Sequence, residues 1–325
     1  MVTLTRRGAV ASATVAALTL FGTAACGGGE EDTAADGELT SVTVGVIPII
    51  DIAPLRLGID QGFFEERGLD VTTQDAQGGA AIAPAVVAGD FDFGYSNAVS
   101  LMIAREQGLP FRVLAVGARA AEDPLQDGSG QLMVQDPAIQ SVEDLVGRRV
   151  AINTLKGINE VAVRASLEDQ GVDSDAIEFV EVPIPNMPAA LAQGDVDAAM
   201  MGEPFTTMAA DDGARPVAVS YAQMNPGGPF AGWFTTETYM AENSEVVESF
   251  QDALVESLEY AEEHPDEARA ALDEYLDLPE GASQEVTLPG WDPTIDPDEF
   301  ARLAELAAEY GLISDTSVVD ELLQD

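Results

Sequence analysis

One β-α-β-α-β pattern occurs twice in this chain. Each copy closes with Gly-Asp-x-Asp between a helix and a strand, at Ala88-Gly89-Asp90-Phe91-Asp92-Phe93 and at Gln193-Gly194-Asp195-Val196-Asp197-Ala198. Gly89 and Gly194 lie 105 residues apart. Upstream, segment 42–48 matches 149–153, segment 71–74 matches 178–182, and Gly78-Gly79 falls near Pro185-Asn186. Two similar α/β lobes in one chain imply a cleft between them. Ligands of such sheets bind outside the carboxyl ends of the strands, so function is expected there.

The pattern predicts strands over 42–47, 69–73, 91–95 and 113–116 in lobe 1, with helices over 54–67, 80–88 and 98–107. Segment 120–130 has few apolar residues and three Gly/Pro breakers, and reads as the first crossover. Ser141-Val-Glu-Asp144 is a capping-box pattern for a short helix. Strands over 150–153, 177–182 and 196–200 and helices over 160–170 and 187–193 make the second unit. The Gly/Pro-rich segment 221–231 returns the chain to lobe 1, and the remainder reads as helical, over 246–262, 299–310 and 314–323. The division is thus 1–25 leader, 26–41 tether, 42–120 first part of lobe 1, 121–220 lobe 2, and 221–325 return crossover plus helices that complete lobe 1.

The leader has the anatomy of a secretory signal. Arg6-Arg7 precede a short apolar run over 9–21, and Thr23-Ala24-Ala25 lead into Cys26, the single cysteine. Small residues before that cysteine resemble a bacterial lipobox, although Thr23 stands where Leu is usual. Lipidation of Cys26 is expected, with the Gly-rich acidic segment after it as a flexible tether. No later run is long and apolar enough to span a bilayer. One cysteine excludes an intramolecular disulfide. The charge is extreme, with 14 basic against 58 acidic residues. That excess argues against nucleic acid and against docking on anionic lipid through a basic patch. Acids spread along the whole chain read as a solvated surface.

Several stretches resemble the nitrate/sulfonate/taurine type of ABC-transporter solute-binding protein, a family that includes pyrimidine binders. They are Leu55-Arg-Leu-Gly-Ile-Asp-Gln-Gly-Phe-Phe-Glu-Glu-Arg-Gly-Leu-Asp70, Ala88-Gly-Asp-Phe-Asp-Phe-Gly94, Ser141-Val-Glu-Asp-Leu-Val-Gly-Arg-Arg-Val-Ala-Ile-Asn153, Gln193-Gly-Asp-Val-Asp-Ala198 and Tyr310-Gly-Leu-Ile313. The resemblance covers most of residues 42–313. It implies a two-lobed periplasmic-binding-protein fold of type II, with two βαβαβ lobes on a double hinge. It further implies a lipid-anchored monomer on the extracytoplasmic face of the membrane, serving an ABC permease and ATPase. A small nitrogen or sulfur compound, taurine- or sulfonate-like, is the implied ligand. A thiamine-precursor pyrimidine is the alternative, and so is a receptor role for a membrane sensor kinase.

The cleft loops by this pattern are 48–53, 77–80, 95–98, 153–159, 185–187 and 201–205. Each offers a helix N-terminus whose free N–H groups point into the crevice. Polar or close-approach candidates in them are Gly78, Gly79, Ser96, Asn97, Asn153, Thr154, Asn159 and Asn186. Lys156, the single lysine, is the candidate for an anionic group, against a solvated loop lysine. Asp51 and Glu203 follow inferred strand ends, one in each lobe, and would accept from an amine, amide or ring N–H. Either could instead favour a helix start, the reading preferred for Asp51 ahead of Pro54. Tyr95, Phe205, Phe230 and Trp233 are aromatic-wall candidates, although most such rings are core.

Catalysis is disfavoured. The single histidine, His264, sits at a helix end in Glu262-Glu-His-Pro-Asp266, and no nucleophile–histidine pair, Walker loop or zinc spacing can be placed at the cleft. Neither metal nor cofactor is expected.

Overall fold

A computed structural model describes residues 39–323. The leader, Cys26 and most of the tether lie outside the described residues. Among the described residues, ten strands form two sheets. In chain order they are β1 (Thr40–Val46), β2 (Leu69–Asp75), β3 (Phe93–Asn97), β4 (Phe111–Arg119), β5 (Gln131–Val134), β6 (Arg149–Ile152), β7 (Glu178–Glu181), β8 (Ala198–Met201), β9 (Arg215–Val219) and β10 (Pro229–Thr236). The sheet orders are β2-β1-β3-β10-β4 and β7-β6-β8-β5-β9. In each, three parallel strands are followed by an antiparallel pair, so the two sheets share one plan. The register repeats too: Val44 lies opposite Phe93, and Val150 opposite Ala198.

The helices are α1 (Ala53–Gln61), α2 (Gly79–Ala88), α3 (Ala98–Glu106), α4 (Ile158–Glu168), α5 (Met187–Gln193), α6 (Phe205–Asp211), α7 (Ser220–Met224), α8 (Glu237–Glu242), α9 (Ser244–Glu263), α10 (Pro265–Tyr275), α11 (Pro297–Glu309) and α12 (Val318–Leu323). Among the described residues no helix is long and apolar enough to cross a membrane.

The repeated Gly-Asp-x-Asp has a physical basis. Gly89 and Gly194 adopt left-handed φ angles of 77° and 72° and terminate α2 and α5. The second aspartate of each copy then turns back onto the central strand. Asp92 accepts from the backbone N–H of Thr43 at 2.7 Å, and Asp197 from that of Arg149 at 2.9 Å. The motif therefore stops a helix and pins the next strand beside the first.

Three sequence readings are corrected. The helix expected over 54–67 breaks at Gly62, whose φ of 85° caps α1, and a short 3-10 turn covers Glu65–Arg67. β1 starts at Thr40, inside the segment read as tether. The remainder after 231 is not wholly helical, because β10, which ends at Thr236, runs between β3 and β4. All eight residues of β10 are buried, so the two-residue alternation that flags a strand is missing.

Phe250 of α9 stacks on Phe93 of β3 with ring centroids 3.8 Å apart, and α9 also packs on α1 and β4. α11 packs against α3 on the first sheet's side and against α4 on the second's, while α12 covers α3 and β4. The chain passes between the sheets twice, after β4 and after β9.

Candidate functional site

Loops from both sheets meet around one partly enclosed cavity. From the first sheet come Ile47, Ile49, Ile50 and Asp51 after β1, Tyr95 and Asn97 at the end of β3, and Phe230 and Ala231 on β10. From the second come Asn153 after β6, Ile158 and Asn159 at the start of α4, Ile184, and Met201, Gly202 and Glu203 after β8. The crossovers supply Ser129 and Tyr221. The walls are thus mostly aliphatic and aromatic, with a few polar groups, as in small-molecule sites generally.

The polar groups are tied to one another. The Tyr95 hydroxyl donates to Asp51 Oδ2 at 2.8 Å. The Asn159 amide donates to Asn153 Oδ1 at 2.8 Å, and the Tyr221 hydroxyl donates to Asn159 Oδ1. Asn97 accepts from Ser100 N at 2.8 Å, capping α3, and from Ile158 N of α4 across the cleft at 3.3 Å. Behind the wall, buried Asp127 accepts from Ser129 N and from Ala222 N, each at 3.0 Å. It thereby joins the first crossover to the second.

Burial governs the titrating groups. It pushes Asp51 up to about 6, with nearby Asp127 adding to the rise and the Tyr95 hydrogen bond opposing it. Burial also raises Glu203, against the hydrogen bonds its carboxylate receives. The phenols of Tyr95 and Tyr221 are held well above their usual range, first by burial and then by the Asp51 charge.

Asp51, Asn97, Asn153, Asn159 and Glu203 are the sequence candidates that line the cavity. Asp51 caps nothing and faces the cavity, with one oxygen on Tyr95. Glu203 lines the cavity but spends its carboxylate on the first turn of α6, accepting from Thr207 N at 3.2 Å and Thr207 Oγ1 at 2.9 Å.

The other candidates stand elsewhere. Lys156 is exposed and outside the lining; its backbone N–H donates to Glu160 Oε2 at 2.9 Å, closing the turn before α4. Asn186 is exposed beside α5. Gly79 and Ser96 pack on each other: a Cβ at Gly79 would stand 2.0 Å from Ser96 Oγ. Gly78 and Thr154 border a second recess, which shares Asn153 with the cavity, and reach it from opposite sheets. Trp233 is wholly buried behind Tyr95, its ring 4.8 Å from the tyrosine's. Among the aromatic candidates, Tyr95 and Phe230 line the cavity and Phe205 does not.

Sequence reasoning missed Ser129, Tyr221 and Asp127. All three sit in or beside the crossovers, which were read only as hinges. The available signal was Asp127-Gly-Ser129-Gly, a run of small and turn-forming residues that brings backbone close to the site. His264 stacks on Tyr260 at 3.9 Å, away from the cavity. Among the described residues no group of three or more His, Cys, Asp or Glu is placed to hold a metal ion.

The family model described as NMT1/THI5 like matches residues 49–268. The chain belongs to that family. It is 25% identical over 209 residues to the taurine-binding periplasmic protein of Escherichia coli, a match covering 64% of this chain and 62% of the relative. It is 27% identical over 218 residues to the bicarbonate-binding protein CmpA of a Synechococcus, covering 60% of this chain and 48% of that protein. The alignments therefore span half to two thirds of these relatives' length. Among solved structures, the alkanesulfonate-binding protein SsuA of Xanthomonas axonopodis, bound to MOPS, superposes with a TM-score of 0.73 over 89% of this chain and 99% of that one, at 18% identity. The fold is the two-lobed periplasmic-binding-protein fold.

Proposed function

We propose that this chain is the extracytoplasmic solute-binding component of an ABC importer, anchored by a lipid on Cys26 and partnered by a permease and an ATPase. Its task is to enclose one small organic solute between the lobes and release it unchanged. The observation that carries this reading is the cavity itself, whose walls come from both sheets and both crossovers. Neither half makes a complete site, so solute binding and lobe closure are linked. The relatives named above are binding proteins for small solutes. The solute carries hydrogen-bond donors for Asp51 and apolar surface for Ile50, Ile158 and Phe230. An aminosulfonate of the taurine type and a nitrogen heterocycle both carry such donors.

The test begins with native mass spectrometry of freshly purified protein, to find the retained small molecule. Returned to stripped protein at a hundred times its Kd, that solute is expected to stabilise the fold by about 2.7 kcal/mol through mass action. X-ray scattering should show a smaller radius of gyration with solute than without. Stabilisation with no compaction defeats the hinged receptor, and recovery of a chemically altered solute defeats a binding role. Anchoring is tested apart from binding. A fatty-acid probe fed to cells should label the wild-type chain, and Cys26→Ser should lose both the label and the membrane association. Retention of both by the variant removes the anchor from the proposal.

A further inference from the structure

The charges around the cavity are of one sign. Asp51 and Glu203 line it and Asp127 lies behind it, while no lysine, arginine or histidine is among the lining residues. Lys156 points to solvent. Buried Arg119 is engaged elsewhere, with Glu299 at 2.7 Å, and half-buried Arg164 with Glu160 at 3.0 Å.

The three carboxylates are not equivalent. Both oxygens of Asp127 are taken by backbone N–H groups, and both oxygens of Glu203 by Thr207. Asp51 is 5% exposed and receives one hydrogen bond, from Tyr95 to Oδ2, which leaves Oδ1 without a donor among the described residues. A second group waits beside it. Ser129 lines the cavity, and its Oγ, in a residue 9% exposed, has no partner among the described residues. The Ser129 hydroxyl is costly to leave buried without a partner, and the Asp51 carboxylate is costly to hold charged in a buried residue with a single hydrogen bond. Both costs are recovered by a ligand that brings N–H donors to the carboxylate and a polar atom to the hydroxyl.

Resting on the receptor reading above, we propose that the solute is a small organic cation whose protonated nitrogen donates to Asp51 Oδ1 and whose next polar atom meets Ser129 Oγ. The shared chemistry is a charged N–H donor: a primary ammonium, a guanidinium or a protonated amino-heterocycle. A sulfonate, nitrate or bicarbonate would enter a site with two carboxylates in its lining, a third behind it, and no cationic side chain among the lining residues. Tyr95, Tyr221 and Phe230 add ring surface that suits a cation on its apolar flank. A quaternary ammonium has the charge but no N–H, and leaves Oδ1 unpaired.

The full chain, stripped of any retained solute, is titrated calorimetrically near pH 7 with two sets of probes. The cation set is ethanolamine, methylguanidine, histamine and 4-aminopyridine. The anion and zwitterion set is methanesulfonate, nitrate, bicarbonate and taurine. At least one cation is expected to bind, and none of the second set. Asp51→Asn, which keeps the shape and the acceptor for Tyr95, should weaken that cation by about tenfold or more, the loss of a charge-assisted hydrogen bond. Ser129→Ala should weaken it less. Binding of any member of the second set, or cation binding that ignores Asp51→Asn in a variant with an intact melting transition, overturns the cation and leaves the receptor reading standing. Silence towards both sets also overturns the cation, and the receptor reading is then judged by native mass spectrometry alone.

Discussion

Asp51→Asn is expected to make the ligand-free protein more stable at pH 7 by about 3 kcal/mol, the equivalent of moving one carboxyl from its ordinary 3.8 up to about 6. The sign follows from which state holds the proton more tightly. The folded chain does, so this carboxyl costs no stability below its unfolded value, where both states are protonated. As pH rises from about 4 to about 6 the unfolded chain ionises first and the wild type loses stability; above 6 the loss is complete. Asparagine cannot ionise, and its amide oxygen still accepts from Tyr95. The gap between variant and wild type should therefore be small at pH 4, open through pH 5 and level off above pH 6. Urea unfolding of both chains at those values, in one buffer of fixed ionic strength, measures it. The general acid repulsion of a chain with formal charge −44 is nearly the same in both and drops out of the difference. A gap independent of pH, or a variant less stable than wild type at pH 7, would show that the Asp51 carboxylate is not held charged in a dry site. A receptor that keeps so costly a group gives up stability for recognition.

Much of the fold was legible because the repeat is written in strong local signals. Gly89 and Gly194 end helices by their left-handed backbone, and Asp92 and Asp197 pin the neighbouring strands. These are short-range effects, and a sequence displays them directly. β5 and β10 escaped because a strand buried on both faces between antiparallel neighbours shows no alternation. The site divides along the same line. Asn97, Asn153 and Asn159 were placed by counting residues past a strand end, and they reach the cavity. Lys156 met the same count but sits on the turn's outer side, where its backbone N–H, not its amine, makes the close contact. For Asp51 and Glu203 the decisive fact is tertiary. Thr207 is four residues from Glu203 and captures its carboxylate locally, whereas Tyr95 is 44 residues from Asp51 and reaches it only in the folded sheet. Ser129 and Tyr221 lie on crossovers, which have no period to read.

Trp233 separates a wall from what supports it. It was a ligand-contact candidate from sequence, yet it is wholly buried in β10, with Tyr95 rather than the cavity against its ring. Gly117 of β4 lies close on another side, where an added Cβ would come 3.0 Å from the indole nitrogen. Trp233→Ala is therefore expected to cost about 3–5 kcal/mol, the loss of a large buried ring plus the cavity it leaves. That is among the largest single-residue effects available in this chain and a sizeable part of an ordinary domain's stability. Trp233→Phe should be far milder. It keeps a ring beside Tyr95, and it removes an indole N–H that is buried without a partner among the described residues, so part of the lost packing is offset. Solute affinity should follow the opposite order. Phe230 lines the cavity beside Tyr221, its ring 4.8 Å away. Phe230→Ala should weaken binding strongly, while Trp233→Phe leaves affinity near wild type because Tyr95 still presents its hydroxyl to Asp51. Urea unfolding and calorimetry on the three variants separate the two roles. If Trp233→Phe loses solute as Phe230→Ala does while remaining as stable as wild type, the indole itself touches the ligand, and β10 must sit differently against β3 when the site is filled.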